Sequence, residues 1–108
     1  MKQITIKACT AFMSHRPFTS NNTNVTVDDN GTATMSLFGN IIAKHDKNGI
    51  ISITNAGWYS NTTRERLNGL PGIQIRQRKG NWFLNDKDWD GSWKHFIFAD
   101  PIIIEYIN

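Results

Sequence analysis

Closely spaced turn signals divide the chain into short segments. Asparagine–glycine pairs stand at Asn30-Gly31 and Asn48-Gly49, and the dipeptide Lys79-Gly80 also suits a tight turn between two strands. The segments beside these turns alternate apolar and polar residues and contain many β-branched side chains, which is typical of half-buried strands. The turns therefore predict antiparallel hairpins as the main building unit of the fold.

The expected strands cover most of the chain. In residues 3–13, Ile4, Ile6 and Ala8 alternate with polar neighbours and predict a first strand. The polar residues 19–24 predict a loop, and Gly39-Asn40 predicts a bulge or bend. The remaining strands are expected at 25–27, 32–43, 50–54, 73–78, 81–84 and 94–98. After a break at Asp100-Pro101, residues 102–107 are expected to form a last strand or a short terminal helix.

Residues 62–69 predict the one helix. Thr62 and Glu65 have the spacing of a capping box, in which each side chain satisfies a main-chain N–H of the first turn. Gly69 can end the helix in the left-handed region, and Pro71 prevents its continuation. The predicted fold is therefore α+β: a mainly antiparallel β-sheet that could curl towards a small barrel, with one short α-helix, in a single domain over residues 1–108.

Composition narrows the classes of function. The net charge of +3 and the pI of 9.2 are compatible with an acidic partner without requiring one. Cys9 is the only cysteine, which excludes an intramolecular disulfide and a cysteine-based zinc site. The N-terminus lacks the pattern of a signal peptide, and the longest apolar run is too short to span a membrane. We therefore expect a cytoplasmic protein without a membrane partner.

The densest positive charge lies between residues 64 and 79. Basic side chains interleaved with aromatic rings are typical of surfaces that bind phosphate backbones and unstacked bases, and Tyr59, Trp82 or Phe83 could supply the rings. The alternative is a solvated strand face, with some arginines tying the helix to loop carbonyl groups. The cluster comprises Arg64, Arg66, Arg76, Arg78 and Lys79.

The tryptophans are numerous for a chain of this length. Buried tryptophans form core, whereas exposed tryptophans are frequent anchors of protein–protein interfaces. Trp58 and Trp82 are expected in the core. Trp89 and Trp93 lie in turn-rich sequence and are the expected surface anchors.

Metal and catalytic sites have weak support. Residues 86–91 match the first half of a calcium loop, but Ile97 stands where a bidentate glutamate is required, so an ordinary turn is favoured. His15, His45 and His95 lack helical metal-ligand spacing, although the fold could still bring the three together. No nucleophile–base pair or pair of carboxylates can be assembled. We expect no enzyme activity, no cofactor and no metal.

A set of short pieces between residues 8 and 91 forms a recognisable pattern. The pieces are Ala11-Phe12, Pro17-Phe18, Asn22-Thr23, Val25, Leu37–Ala43, Ala56-Gly57-Trp58, Thr62–Leu70, Gly80–Asn85 and Trp89-Asp90-Gly91. In these pieces the chain resembles a family of small proteins of unknown function from bacteriophages and related mobile elements. Asp86 departs from the family's glycine, and the residues after Ser92 have no counterpart. The resemblance implies a phage origin and supplies no activity.

Two functions follow as hypotheses. The first is a phage accessory protein that binds a host protein through aromatic and arginine side chains and blocks or redirects it, without chemistry. The second is DNA or RNA binding through the basic residues 64–79. A homodimer is also plausible if residues 3–12 form an edge strand that pairs with a second copy.

Overall fold

Short hairpins build the fold, together with a pair of helices. The computed structural model describes residues 1–99 and 102–106, with side chains up to residue 97. The expected break at Asp100-Pro101 and the end of the last element at residue 107 lie outside the described residues. In chain order the elements are α1 (Gln3–Met13), β1 (Phe18–Ser20), β2 (Thr23–Val27), β3 (Ala33–Leu37), β4 (Asn40–His45), β5 (Ile50–Ile53), α2 (Asn61–Leu67), β6 (Ile75–Arg78), β7 (Asn81–Leu84), β8 (Lys87–Asp88), β9 (Lys94–Ala99) and β10 (Ile102–Tyr106).

The strands form one large and one small antiparallel sheet. The large sheet has seven strands in the order β1-β2-β3-β4-β5-β9-β10, and the small sheet has the order β6-β7-β8. Within the described residues the edge strands β1 and β10 do not pair with each other, so the large sheet is open and is not a closed barrel. The predicted α+β class is confirmed, and the last element is a strand.

Tight turns with positive φ angles connect the hairpins. Lys79 and Gly80 have φ angles of 50° and 81° and join β6 to β7, as predicted. The interruption predicted at Gly39-Asn40 as a bulge or bend is a tight turn of Phe38 and Gly39, with φ angles of 50° and 82°, and the one strand predicted over 32–43 is therefore the two strands β3 and β4. The loop predicted at 19–24 is limited to the turn at Asn21 and Asn22, since the residues on either side pair as the hairpin of β1 and β2.

The strand predicted at residues 3–13 is wrong, because this segment is helix α1. Its buried side chains are spaced as on one helical face: Thr5, Ala8, Cys9, Ala11 and Phe12. This face contacts β1, β2, β3 and α2, and that burial overrides the β-branched composition. The edge strand on which a homodimer was expected is therefore absent from residues 3–12.

Helix α2 has a different start from the one predicted. Its N-cap is Ser60, whose Oγ accepts the N–H of Thr63 at 3.1 Å, so the capping box from Thr62 to Glu65 is wrong. Glu65 instead accepts the N–H of Lys2 at 3.1 Å, at the start of α1. Burial raises the pKa of Glu65, but hydrogen bonds from Thr5 and Lys2 outweigh it and lower the pKa.

The core lies between the large sheet, the helices and the small sheet. In register across β2 to β5, Val25, Met35, Ala43 and Ile53 share one face, and all are buried. The small sheet contributes Trp82, which is 2 % exposed. No helix among the described residues is long and apolar enough to cross a membrane.

Candidate binding surfaces

The structure separates the basic cluster into an exposed part and a buried part. Arg76, Arg78 and Lys79 are exposed on the hairpin of β6 and β7, and Arg64 is half-buried beside it. Arg64 donates to the Oε1 of Gln77 at 3.0 Å. Because alternate residues of a strand point to opposite faces, Gln77 and Arg64 lie on the other side of the hairpin from Arg76 and Arg78.

Arg66 is a structural residue, only 3 % exposed. Its Nε donates to Thr23 Oγ1 at 2.9 Å, its Nη1 to Thr5 Oγ1 at 2.8 Å and its Nη2 to Asn22 Oδ1 at 3.3 Å. These bonds join α2 to α1 and to β2. Arg66 is therefore too buried to contact a nucleic acid or a partner. It ties α2 to neighbouring segments, as the alternative expected, but through hydroxyl and side-chain amide oxygens and not through loop carbonyl groups.

The outer face of the small sheet combines charge with an aromatic ring. Arg76 stands opposite Phe83 in the register, and Arg78 stands opposite Asn81. Phe83 is half-buried. Arg76 also lies 3.8 Å from Asp86, but both side chains are more than half exposed, so this ion pair contributes about 0–1 kcal/mol.

The tryptophans are distributed differently from the expectation. Trp82 is in the core and Trp93 is 42 % exposed, as predicted. For Trp58 and Trp89 the expectation is wrong: Trp58, expected in the core, is 60 % exposed, and Trp89, expected at the surface, is 5 % exposed. The ring of Trp89 packs 6.0 Å from that of Trp82, and its Nε1 donates to the carbonyl oxygen of Ser92 at 2.8 Å. Trp89 is therefore a core residue and not a surface anchor.

An apolar groove lies beside the turn between β3 and β4. Its volume is about 310 Å³, and its lining residues are Leu37, Phe38, Asn40, Ile42, Trp58, Ser60 and Thr63. Phe38 is 71 % exposed and Trp58 is 60 % exposed. Sequence reasoning missed Phe38, although an aromatic residue directly before a glycine in a tight turn is the signal that could have found it. The surface of the groove is mostly apolar.

A second concave surface, a polar cleft of about 660 Å³, is lined by Tyr59, Trp82, Trp89 and Asp90 among others. Tyr59 is 52 % exposed, and its hydroxyl donates to the carbonyl oxygen of Asp90 at 2.7 Å. The ring of Tyr59 meets that of Trp82 edge to face at 5.2 Å. Hydrogen bonds from the side chain and then the N–H of Ser92 lower the pKa of Asp90. Tyr59 thus remains available as a surface residue, fixed in place by these contacts.

The calcium-loop match has an ordinary structural explanation. Asn85 and Asp86 form the tight turn between β7 and β8, and Asp88 lies in strand β8. Asp86 contacts Arg76, and Asp90 accepts the N–H of Ser92 at 3.0 Å. The carboxylates therefore do not converge on one point. In residues 1–99 and 102–106 no group of three or more metal-ligating side chains occurs.

The histidines come together only in part. The rings of His15 and His45 have centroids 4.3 Å apart. The ring of His95 contacts the hydroxyl of Ser52 at 2.6 Å. His45 pairs with Ile51 in β5, and the next residue, Ser52, points to the opposite face of the sheet. His95, which pairs with Ser52, therefore lies on the face opposite to His45. Burial is the largest influence on His45 and lowers its pKa. A site made of three histidines is therefore excluded.

Comparison with protein-family models shows that this is a phage protein. Residues 1–100 match the model described as Kyanoviridae Gp96 protein. The chain belongs to this family. The match to the Kyanoviridae Gp96 family confirms that this is a phage protein. It covers more of the chain, at both ends, than the resemblance between residues 8 and 91. The motif pattern on which that resemblance was based stays a prediction. Neither the curated proteins nor the solved structures give a match. The family description names no activity and no partner.

Proposed function

We propose that this phage protein binds a host protein in the host cytoplasm and blocks or redirects it by steric occlusion. The observation that supports the proposal is the pair of exposed aromatic side chains, Phe38 and Trp58, which line one apolar groove. Large aromatic residues in pockets are frequent hot spots of protein–protein interfaces. The proposed mechanism needs no cofactor and no catalytic group.

The backbone at Phe38 supports the same proposal. Phe38 has a φ angle of 50°, in the left-handed region that glycine and asparagine occupy at low cost. An aromatic side chain at this position costs some stability, and Phe38 is 71 % exposed to water. Strain of this kind is frequent at functional sites. A partner that covers Phe38 and Trp58 would offset this cost.

The test is a capture experiment from host lysate with the tagged full chain. We expect one stoichiometric host protein that is retained after nuclease treatment and at high salt, since an apolar interface depends little on ionic strength. Phe38→Asn and Trp58→Ser should each lose this protein. Trp93→Ser, which removes an exposed tryptophan outside the groove, is the matched control and should retain it. Retention of the protein by Trp58→Ser would disprove the groove as the interface.

Nucleic-acid binding is the second candidate, and the outer face of the small sheet supports it. Arg76, Arg78 and Lys79 are exposed there, and Phe83 offers a ring beside Arg76. Binding of labelled single-stranded DNA or RNA should weaken steeply with salt, because each phosphate contact releases condensed ions. The double substitution Arg76→Gln and Arg78→Gln should abolish it, and Phe38→Asn should not. Binding that is independent of salt would contradict this candidate.

A further inference from the structure

His15 occupies an unusual backbone position at the end of α1. The N–H of Arg16 donates to the carbonyl oxygen of Ala11 at 2.9 Å, and that of His15 to Phe12 at 3.3 Å. This pair of bonds is the Schellman motif, in which the residue at the position of His15 adopts the left-handed conformation. His15 has a φ angle of 54°. Glycine or asparagine is the usual choice there, so the histidine carries a conformational cost.

The side chain of His15 lies directly against that of His45. The ring centroids are 4.3 Å apart, with an angle of 53° between the planes. His15 Nδ1 lies 2.8 Å from the carbonyl oxygen of Gly31, and His45 Nδ1 lies 3.4 Å from that of Phe12. A carbonyl oxygen only accepts, so each Nδ1 carries the hydrogen. In a neutral imidazole the Nε2 atom then has the free lone pair.

Both side chains share one feature of metal-binding histidines, an Nδ1 atom held by a main-chain carbonyl oxygen. Ligating histidines usually donate their second ring N–H to a carbonyl or carboxylate oxygen, which sets the tautomer and the ring orientation. For Nε2–metal bonds of about 2.1 Å, two rings in adjacent coordination positions have centroids about 4.5 Å apart at a right angle and about 5.2 Å apart at a tetrahedral angle. The observed 4.3 Å needs only a small opening of the pair.

Two aspartates in the turns beside the histidines each hold their turn through one carboxylate oxygen, Oδ1. Asp28 accepts the N–H groups of Asn30 and Thr32, at 2.9 and 3.0 Å. Asp46 accepts those of Asn48 and Ile50, each at 2.9 Å. These bonds hold the two turns beside the histidines. The two imidazole nitrogens themselves favour ions that prefer nitrogen ligands over a hard cation such as Ca²⁺, which requires oxygen ligands.

We propose that His15 and His45 form a two-imidazole site for a divalent transition-metal ion of the Zn²⁺ or Ni²⁺ class. Water completes the coordination, because the described residues supply no third protein ligand. The site is an exchangeable one that links the end of α1 to the end of β4. It is independent of the proposed host-protein interface, which lies at Phe38 and Trp58.

The test uses the full chain without a histidine tag, titrated with ZnCl₂ or NiCl₂ at neutral pH. We expect saturable binding of one ion per chain, an upward shift of the melting temperature, and a change at the Nε2 resonances of His15 and His45 in ¹⁵N spectra. CaCl₂ and MgCl₂ should give none of these effects. Absence of saturable binding of both Zn²⁺ and Ni²⁺ would overturn the proposal.

Matched variants separate this site from general surface binding. Asparagine tolerates the left-handed conformation, so His15→Asn should preserve the end of α1 and lose the metal-induced shift. His45→Gln should lose it also, and if that variant fails to fold, His15→Asn alone decides. His95→Gln should bind as the unchanged protein does. An undiminished shift in folded His15→Asn would mean adventitious binding elsewhere and would overturn the proposal.

Discussion

Gly69 lies so close to Cys9 that a Cβ at position 69 would stand 2.6 Å from the Sγ atom. The same Cβ would lie 2.7 Å from Cγ2 of Thr5. Gly69 was expected to end α2 in the left-handed region, but its φ angle does not lie there. The glycine instead permits the chain after α2 to contact α1 directly. The thiol of Cys9 completes this contact by donating to the carbonyl oxygen of Arg66 at 3.3 Å.

We expect Gly69→Ala to destabilise the fold by about 1–3 kcal/mol, because the added methyl group must displace packed side chains. Urea denaturation measures the loss. In a Cys9→Ala background the same substitution should cost less, since the sulfur is gone. An equal cost in both backgrounds would show that the contact with Cys9 is not the cause.

Arg66→Met should destabilise the fold by about 2–3 kcal/mol, because it leaves the hydroxyl groups of Thr5 and Thr23 without their donor. Arg64→Met is the matched control. Its guanidinium binds Gln77 and Asn61 at the surface, so its loss should cost less than about 1 kcal/mol. Chemical denaturation of both variants checks this, and a similar cost for the two would contradict the buried role of Arg66.

The thiol of Cys9 should be unreactive in the folded protein. Burial, the largest influence, raises its pKa from 9.0 to about 12, so almost no thiolate is present at pH 8. A chromogenic disulfide reagent should react quickly in urea and very slowly without it. Fast labelling of the native protein would contradict the burial.

The same pKa shift predicts a loss of stability in alkali. The folded state holds the proton of Cys9 more tightly than the unfolded state does. Well below pH 9.0 the thiol is protonated in both states, so Cys9 does not make stability depend on pH there. Stability should then fall as the pH rises from 9.0 towards about 12, because the unfolded thiol ionises first. In Cys9→Ala the free energy of unfolding should decline less steeply over this pH window, as measured by denaturation curves. An identical decline in the two proteins would show that the Cys9 thiol is not the cause.

Phe38→Asn should stabilise the fold by about 0.5–1 kcal/mol, since asparagine accepts the left-handed region at lower cost. Phe38→Ala removes the same ring without this backbone gain and serves as the control. Thermal denaturation compares the two variants. A loss of stability in Phe38→Asn would mean that the ring contributes to the core, and would weaken its assignment to an interface.

Trp89→Ala should cost about 3–5 kcal/mol, as for other buried aromatic residues. Trp58→Ala should cost less than about 0.5 kcal/mol, because its side chain is largely in water. Denaturant titration of each variant gives the comparison. If Trp58→Ala cost more than Trp89→Ala, Trp58 would be the core residue, as expected from the sequence, and its assignment to the surface of the groove would be wrong.

Much of the β-structure could be predicted because its signals are local. The turn at Lys79-Gly80 depends on a glycine that reaches a positive φ angle, and the alternation after it places Trp82 and Leu84 inward in β7. The candidate surface was predictable only in part. Arg76 and Arg78 follow from the alternation of β6, but Arg66 resembles them in sequence and lies buried among hydroxyl groups.

The sequence by itself determined the hairpins at Asn30-Gly31, Asn48-Gly49 and Lys79-Gly80, since turn chemistry and the alternation of side chains act between near neighbours. Only the tertiary structure decided the rest. Residues 3–13 carry both an alternating pattern and a helical one, and packing of Phe12 and its neighbours on the large sheet selects the helix. Similarly, His15 and His45 become neighbours only because α1 crosses that sheet. Burial and proximity depend on contacts between distant segments, and no local pattern encodes those contacts.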